Sequence, residues 1–514
     1  MEVVRRRPIL LPLAVTAVML VVWAGWVAVD GGSGGVDDEV SQVSPDDTSP
    51  GSSASTTTTE PPLPPFDGWV DPASSGRPWG DTVDGILTFR GNPTRSWYGT
   101  GPMPEAPQVL WTYPPDGGGM CGVSIDGSGA QTWCGTGWTG QPAVFERDGV
   151  TWVAFGAYDY GVHFVDGATG TDLLPMFETG DIIKGSVTVD PDGYPLLYTG
   201  SRDNQLRVLA FDGEAPRELY RLDADSVGPT LWNDDWDGSP LVIDDYLFEG
   251  GENSRFHILK LNRSTDATTG AVTVAPELVF HTEGWDAELL AEITDNQVSI
   301  ENSVAISGDT VYFANSGGLV QGWDISGLVD GIAPARSFRF WTGDDTDASI
   351  VVDTDGMLYV ASEFERGNAR STEVGQLMKL DPTRPDDPLV WSVKDQAPSK
   401  SGAWGTPAIW GDMIYADFNS GRVIGARRDT GEIVWEKDLG SQTWQSPVVV
   451  DDVLVLGDCE GVLHGYDVSD PDVDPPEIWS VQLDGCIEST PAVWNGVMYV
   501  GARGGSFYAI GDPK

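Results

Sequence analysis

Positive charge is scarce in this chain. Lysine and arginine number 29 against 78 aspartates and glutamates, which gives a formal charge of -49 over 514 residues. Such an excess opposes approach to phosphate backbones and anionic headgroups, so nucleic acid is excluded as a partner. Histidine is rarer still. The four, His163, His257, His281 and His464, are scattered, and the sequence holds no His-Glu-x-x-His helix and no Gly-x-x-x-x-Gly-Lys loop. Zinc-hydrolase and phosphate-cradling readings therefore have no residues to stand on. His163 and His464 fall in strands without an adjacent carboxylate motif and are expected to be packed imidazoles. Cysteine is equally sparse: Cys121, Cys134, Cys459 and Cys486 form no Cys-x-x-Cys and no adjacent pair. That removes metal-cluster, haem-attachment and thioredoxin chemistry, while an even number in an exported chain favours two disulfides.

What the chain has instead is repetition. Units beginning Trp404-Gly-Thr-Pro, Trp444-Gln-Ser-Pro and Glu488-Ser-Thr-Pro follow one another at spacings of 40 and 44 residues. Each continues into a short apolar run, a Gly-rich turn and a second apolar run. Such a unit is a small antiparallel sheet that cannot bury both faces alone, so it must stack on copies of itself. Repeats of this length with four short strands predict an all-β propeller.

The N-terminus is different. Arg5-Arg6-Arg7 closes a basic tail (1–8) before Ile9 to Val29, twenty-one residues without a charge. At about 1.5 Å per residue this length spans a bilayer core of roughly 30 Å, and the basic flank predicts that the rest lies outside the cell. Trp23, Trp26 and Val29 spoil the small-x-small end of a cleaved signal, so residues 9–29 are expected to be a single transmembrane signal-anchor helix. Residues 30–66 collapse to Gly, Ser, Thr, Asp and Pro, a composition too poor in apolar surface to fold, and are expected to be a disordered tether. Residues 67–514 are expected to be the propeller.

The opening of that region, Phe89-Arg-Gly-Asn-Pro-Thr-Arg95, then Gly99-Thr-Gly-Pro102, then Val109-Leu-Trp111, together with Asp429-Thr-Gly-Glu-Ile-Val-Trp435, resembles PQQ-like (pyrroloquinoline-quinone-repeat) β-propellers. That family includes BamB-like outer-membrane assembly scaffolds and the quinoprotein dehydrogenases. The resemblance covers roughly Phe89 to Ile510. A dehydrogenase of this type is implied to use adjacent cysteines against the quinone, with calcium held by Glu and Asn and a catalytic Asp. The absence of adjacent cysteines argues against PQQ here.

Eight inner-strand starts can be counted: Gln141, Ser186, Ser239, Ser303, Ser349, Thr406, Ser446 and Thr490. An outer-strand aromatic follows the first seven, and the eighth lacks one. Trp111, in an orphan strand before the first start, supplies it, which predicts an eight-bladed ring closed by Val109 to Tyr113 with no open edge. The loops leading into the inner strands and the turns between second and third strands share one end, the top. There Cys459 and Cys486 can meet, and Cys121 and Cys134 close a local loop. The long segments His281 to Val298 and Glu363 to Gly375 make the top the expected binding face.

Two residues before each inner-strand start stand Thr139, Lys184, Asp237, Glu301, Asp347, Trp404, Trp444 and Glu488, positions that a propeller gathers about its axis. Four acids then share one mouth. They read either as a solvated rim with one Lys184 salt bridge or as a ligand site. The ligand would be a calcium ion held by Asp237, Glu301 and Asp347, or a cationic or sugar group stacked on Trp404 and Trp444. The leading expectation is a membrane-tethered, extracytoplasmic, non-catalytic binding or scaffold module with a protein partner or small ligand on its top face. A PQQ-dependent dehydrogenase and a carbohydrate or cation sensor are the alternatives.

Overall fold

Thirty-two strands arranged as eight four-stranded antiparallel sheets surround a central channel in the computed structural model. The structure describes residues 63–126, 129–138, 140–397 and 401–513. The expected basic tail, the anchor at 9–29 and the tether down to residue 62 lie outside the described residues. Among the described residues no helix is long and apolar enough to cross a membrane.

Blades 1 to 7 span residues 143–178, 188–223, 241–283, 305–341, 351–393, 408–438 and 448–482, in chain order. Blade 8 combines Ala492–Trp494, Val497–Ala502 and Ser506–Gly511 with the N-terminal strand Gln108–Tyr113, which pairs antiparallel with Ser506–Gly511. The expected closure is therefore present. The long top segments carry short helices, α1 (Ala287–Ile293) and α2 (Ala369–Val374).

The recurring Ser or Thr at the inner-strand starts has a physical reason. The backbone N–H groups of Gln141, Ser239, Ser303, Ser349 and Thr406 each donate to the hydroxyl at the start of the next blade, Ser186, Ser303, Ser349, Thr406 and Ser446, at 2.9 Å. Each contact satisfies an N–H at the end of an edge strand and fixes one blade against the next. The outer tryptophans lock the rim. Trp111 Nε1 donates to Gly167 O at 2.9 Å and Trp391 Nε1 to Arg428 O at 3.0 Å, each reaching into the following blade. Both expected disulfides are formed, Cys121–Cys134 in a projecting hairpin and Cys459–Cys486 between blades 7 and 8.

The channel is filled by the chain itself. Residues 85–100, which carry the Phe-Arg-Gly-Asn-Pro-x-Arg motif, touch the inner strands of all eight blades. Gly85–Ile86 pairs with blade 1 and Gly99–Thr100 with blade 8. Leu87 O, Pro93 O and Thr94 O accept from Val189, Ile306 and Val352 of blades 2, 4 and 5. The remaining contacts come from two fully buried arginines. Arg90 donates to Thr406 O, Pro407 O and Pro447 O at 2.8 to 3.1 Å, and Arg95 donates to Val304 O at 2.8 Å and Ser239 O at 3.2 Å. Gly91, at φ +68°, is required between them, because a Cβ there would lie 2.5 Å from Trp97 O.

Replacing Arg95 by Leu strands several carbonyls in a buried channel. The variant is expected to lose about 3 kcal/mol or more of stability, read as a lower midpoint in denaturant unfolding. An unchanged midpoint would mean that the plug is not part of the cooperative fold.

Candidate functional site

The residues two before each inner-strand start do gather at the top mouth, although Thr139 lies outside the described residues. They separate into three groups. In the first, Lys184 Nζ contacts Asp237, lies 2.9 Å from Glu252 Oε1 and reaches Asp235 at 3.8 Å, while Arg202 Nε lies 2.5 Å from Asp235. Burial alone would lower the lysine pKa, but Asp237, Glu252 and Asp235 hold it well above its usual value. The same contact keeps Glu252 ionised against the upward push of burial, while burial and the Glu252 charge drive Asp235 upward.

In the second group, Asp347 meets Asp345 and Glu363, with oxygens of all three within 4.8 Å of one another. Glu301 adjoins them through Ser316, whose Oγ lies 3.2 Å from Glu301 Oε1 and 3.2 Å from Asp347 Oδ1. Burial, reinforced by the neighbouring carboxylates, raises all four acids well above the usual range. Asn419 Nδ2 donates to Glu363 at 2.9 Å and orients it.

The third group is aromatic. Trp404 packs against Trp444 at 5.2 Å between ring centroids and against Trp138 at 5.6 Å, and the indole N–H groups of Trp138 and Trp404 are buried without a partner. Beside this cluster both carboxylate oxygens of Glu488 accept from Arg503 Nη1, at 2.9 and 2.8 Å.

The rim is not solvated: Asp237, Asp347 and Glu488 are 1%, 6% and 4% exposed. Nor does Lys184 serve one carboxylate, since it meets three. The residue groups with oxygens close enough to share an ion are Asp235, Asp237 and Glu252, and Asp345, Asp347 and Glu363; Glu301 couples to both without joining either. Asp235, Glu252, Asp345, Glu363, Trp138 and Arg503 were not among the expected residues. A signal for Asp235 and Asp345 exists in the repeated Asp-x-Asp-x-Ser of Asp235 to Ser239 and Asp345 to Ser349. Of the histidines, His163 is packed as expected, at 3% exposed. His163 Nε2 lies 3.0 Å from Asp159, and His464 Nδ1 lies 3.0 Å from Glu477, so carboxylates do stand beside both rings.

Asp417, at the top end of the second strand of blade 6, accepts from Thr443 Oγ1 at 2.8 Å, and its other oxygen has no partner. Burial pushes its pKa up to about 7. The folded state thus binds this proton more tightly than the unfolded chain does. Its contribution to stability is complete below about pH 4 and is lost as pH rises through about 7. Asp417→Asn should therefore flatten the pH dependence of unfolding between those limits and stabilise the protein at pH 8 by up to about 4 kcal/mol. Parallel profiles for the two proteins would assign the slope to other groups.

Residues 373–474, from the middle of blade 5 into blade 7, match the family model described as outer membrane protein assembly factor BamB. Over 101 residues the chain is 34% identical to BamB of Salmonella typhimurium, covering 20% of this chain and 25% of that protein. The match thus spans about a quarter of the length of this curated relative. Among solved structures, quinohemoprotein alcohol dehydrogenase from Comamonas testosteroni superposes with a TM-score of 0.54 at 12% identity, over 84% of this chain and 81% of that one. The computationally designed Ika8 protein gives 0.52 at 12% identity, over 74% and 96%. At these identities the likeness is one of fold. The BamB-type match and the eight-bladed ring together support a PQQ-like β-propeller.

Proposed function

We propose that this propeller is an extracytoplasmic, protein-binding scaffold, held at the membrane by its N-terminal segment and presenting its top face to a partner. The observation that carries the reading is the plug. A segment bonded to all eight blades fixes the ring as one body, and a rigid platform with long loops at one end is suited to recognition. The partial match to an assembly factor supports the same reading. So does the hairpin stapled by Cys121–Cys134, which projects beside the top turn of blade 1 and exposes Val123 by 55% and Ile125 by 73%. The dehydrogenase alternative calls for adjacent cysteines, and here the bonded pairs are 13 and 27 residues apart.

Two measurements test this. Protease added to intact cells should release a soluble propeller by cutting within residues 30–62; release only after lysis would overturn the orientation, and a mature N-terminus near Asp30 would replace the anchor by a cleaved signal. A photo-crosslinker placed at Ile125 on the top face should trap a membrane-associated protein in native membranes. The same probe at Ile332, in the opposite-end turn of blade 4, should not. Equal trapping at both positions, or none at Ile125, would remove the top face as the docking surface.

A further inference from the structure

Blades 3 and 5 carry the same three carboxylates in the same places. In each, two aspartates stand four and two residues before the serine that starts the inner strand: Asp235 and Asp237 before Ser239, Asp345 and Asp347 before Ser349. In each, a glutamate follows the second strand, and its N–H donates to the carbonyl of the first aspartate, Glu252 to Asp235 at 2.9 Å and Glu363 to Asp345 at 2.8 Å. Both triads draw their carboxylate oxygens within 4.8 Å of one another. Buried carboxylates this close cannot remain ionised together without positive charge among them.

Blade 3 has that charge built in. Lys184, two residues before the inner-strand start of blade 2, places its ammonium among Asp235, Asp237 and Glu252. The residue in the corresponding place ahead of blade 5 is Glu301, two before Ser303 of blade 4. Where one triad receives an ammonium, the other receives a fourth carboxylate. Asp345 Oδ1 is shut off from solvent and has no hydrogen-bond partner. Among the described residues no lysine or arginine comes within ion-pair distance of these four acids: Arg366 acts on Asp345, and Lys184 on Glu301, only from farther off, and Arg366 pairs with Asp295 at 3.4 Å.

We propose that Asp345, Asp347 and Glu363 bind a divalent calcium ion in the place that the Lys184 ammonium occupies in blade 3, with Glu301 adding its negative charge beside them. The blade 3 triad demonstrates within the same molecule that this frame accommodates a cation. Four carboxylates call for more than the single charge that serves three, one of which Arg202 already shares. The donors are all hard oxygens lying within 4.8 Å of one another, and calcium takes six to eight such oxygens at about 2.3 to 2.6 Å. Ser316 Oγ supplies a neutral oxygen at the same point, and Asn419 fixes the Glu363 carboxylate from outside, as outer partners of metal ligands do. Magnesium, which keeps several of its waters and is held by one or two carboxylates, is a poorer fit to so many acidic ligands. The ion would tie blades 4 and 5 at the top as Lys184 ties blades 2 and 3. None of this depends on the scaffold reading.

The test uses the purified full-length protein, stripped with a chelator and titrated with calcium chloride by calorimetry and by thermal unfolding. One saturable site and a raised melting temperature are expected. Changing Asp347→Asn and Glu363→Gln together should weaken binding about tenfold or more, whereas Asp237→Asn in the other triad should leave a single calcium site. Glu301→Lys should install the missing ammonium, abolishing calcium binding while raising the calcium-free melting temperature. Absence of saturable binding by the parent protein overturns the proposal, as does binding that persists in Glu301→Lys. Should the double variant fail to fold, the Glu301→Lys result decides the matter.

Discussion

Two guanidinium groups buried in the central channel hold this fold in register. The inner strand of every blade presents an unpaired edge to the axis, and eight such edges converge where water cannot satisfy them all. Arg90 and Arg95 answer with fixed forks of donors and no acceptor, which is what a hole lined by carbonyls needs. Their backbones adopt left-handed conformations, at φ 54° and 58°, that only surrounding bonds can impose on such residues. A lysine could not serve the same set of carbonyls, because its donors radiate from one point. The cost of burial remains visible in Arg95, whose pKa falls to about 9 despite the nearby Glu249.

That cost links the plug to the mouth. Glu249 is 1% exposed, and neither carboxylate oxygen has a hydrogen-bond partner. Its electrostatic neighbours are Arg95 on one side and Asp237 on the other, and Asp237 in turn contacts Lys184. A chain of ionisable groups, basic at both ends and acidic in the middle, therefore runs through blade 3 from the plug to the top face. Removing one member of such a chain leaves its neighbours uncompensated in a medium of low polarity, so the four act as a unit rather than as separate pairs.

The ring was legible in the sequence because its signals are local. Strand alternation, Gly turns and the Ser/Thr-Pro starts recur at short range, and the orphan Trp111 strand had one place to go. Cys459 and Cys486 could be paired because turn and lead-in loop fall at the same end of a blade. The plug was not legible as such. Phe89 to Arg95 shows no strand or helix period, and its partners, such as Pro447, lie hundreds of residues away. The mouth was read in part. The positions two before each start were correctly gathered on the axis, but Glu252 and Glu363 enter from the far end of another strand, a relation no spacing rule on the lead-in loops contains. Solvation was misjudged for the same reason: Trp138 and the top turns cover carboxylates that a bare ring would leave wet.

The acidity of the chain consequently has two meanings. Solubility accounts for carboxylates at the surface, and most acids are there. It cannot account for Asp237, Glu249, Asp347, Glu363 and Asp417, each less than 4% exposed except Asp347 at 6%, since a buried acid adds nothing to the hydration of the surface and weakens the fold unless something compensates it. Blades 3 and 5 offer two solutions on one frame, with Asp-x-Asp and the following Glu held constant. The variable is the residue two places before the preceding blade's inner strand, lysine in one case and glutamate in the other. A single position thus decides whether the frame closes on a charge of its own or faces the mouth with unpaired oxygens.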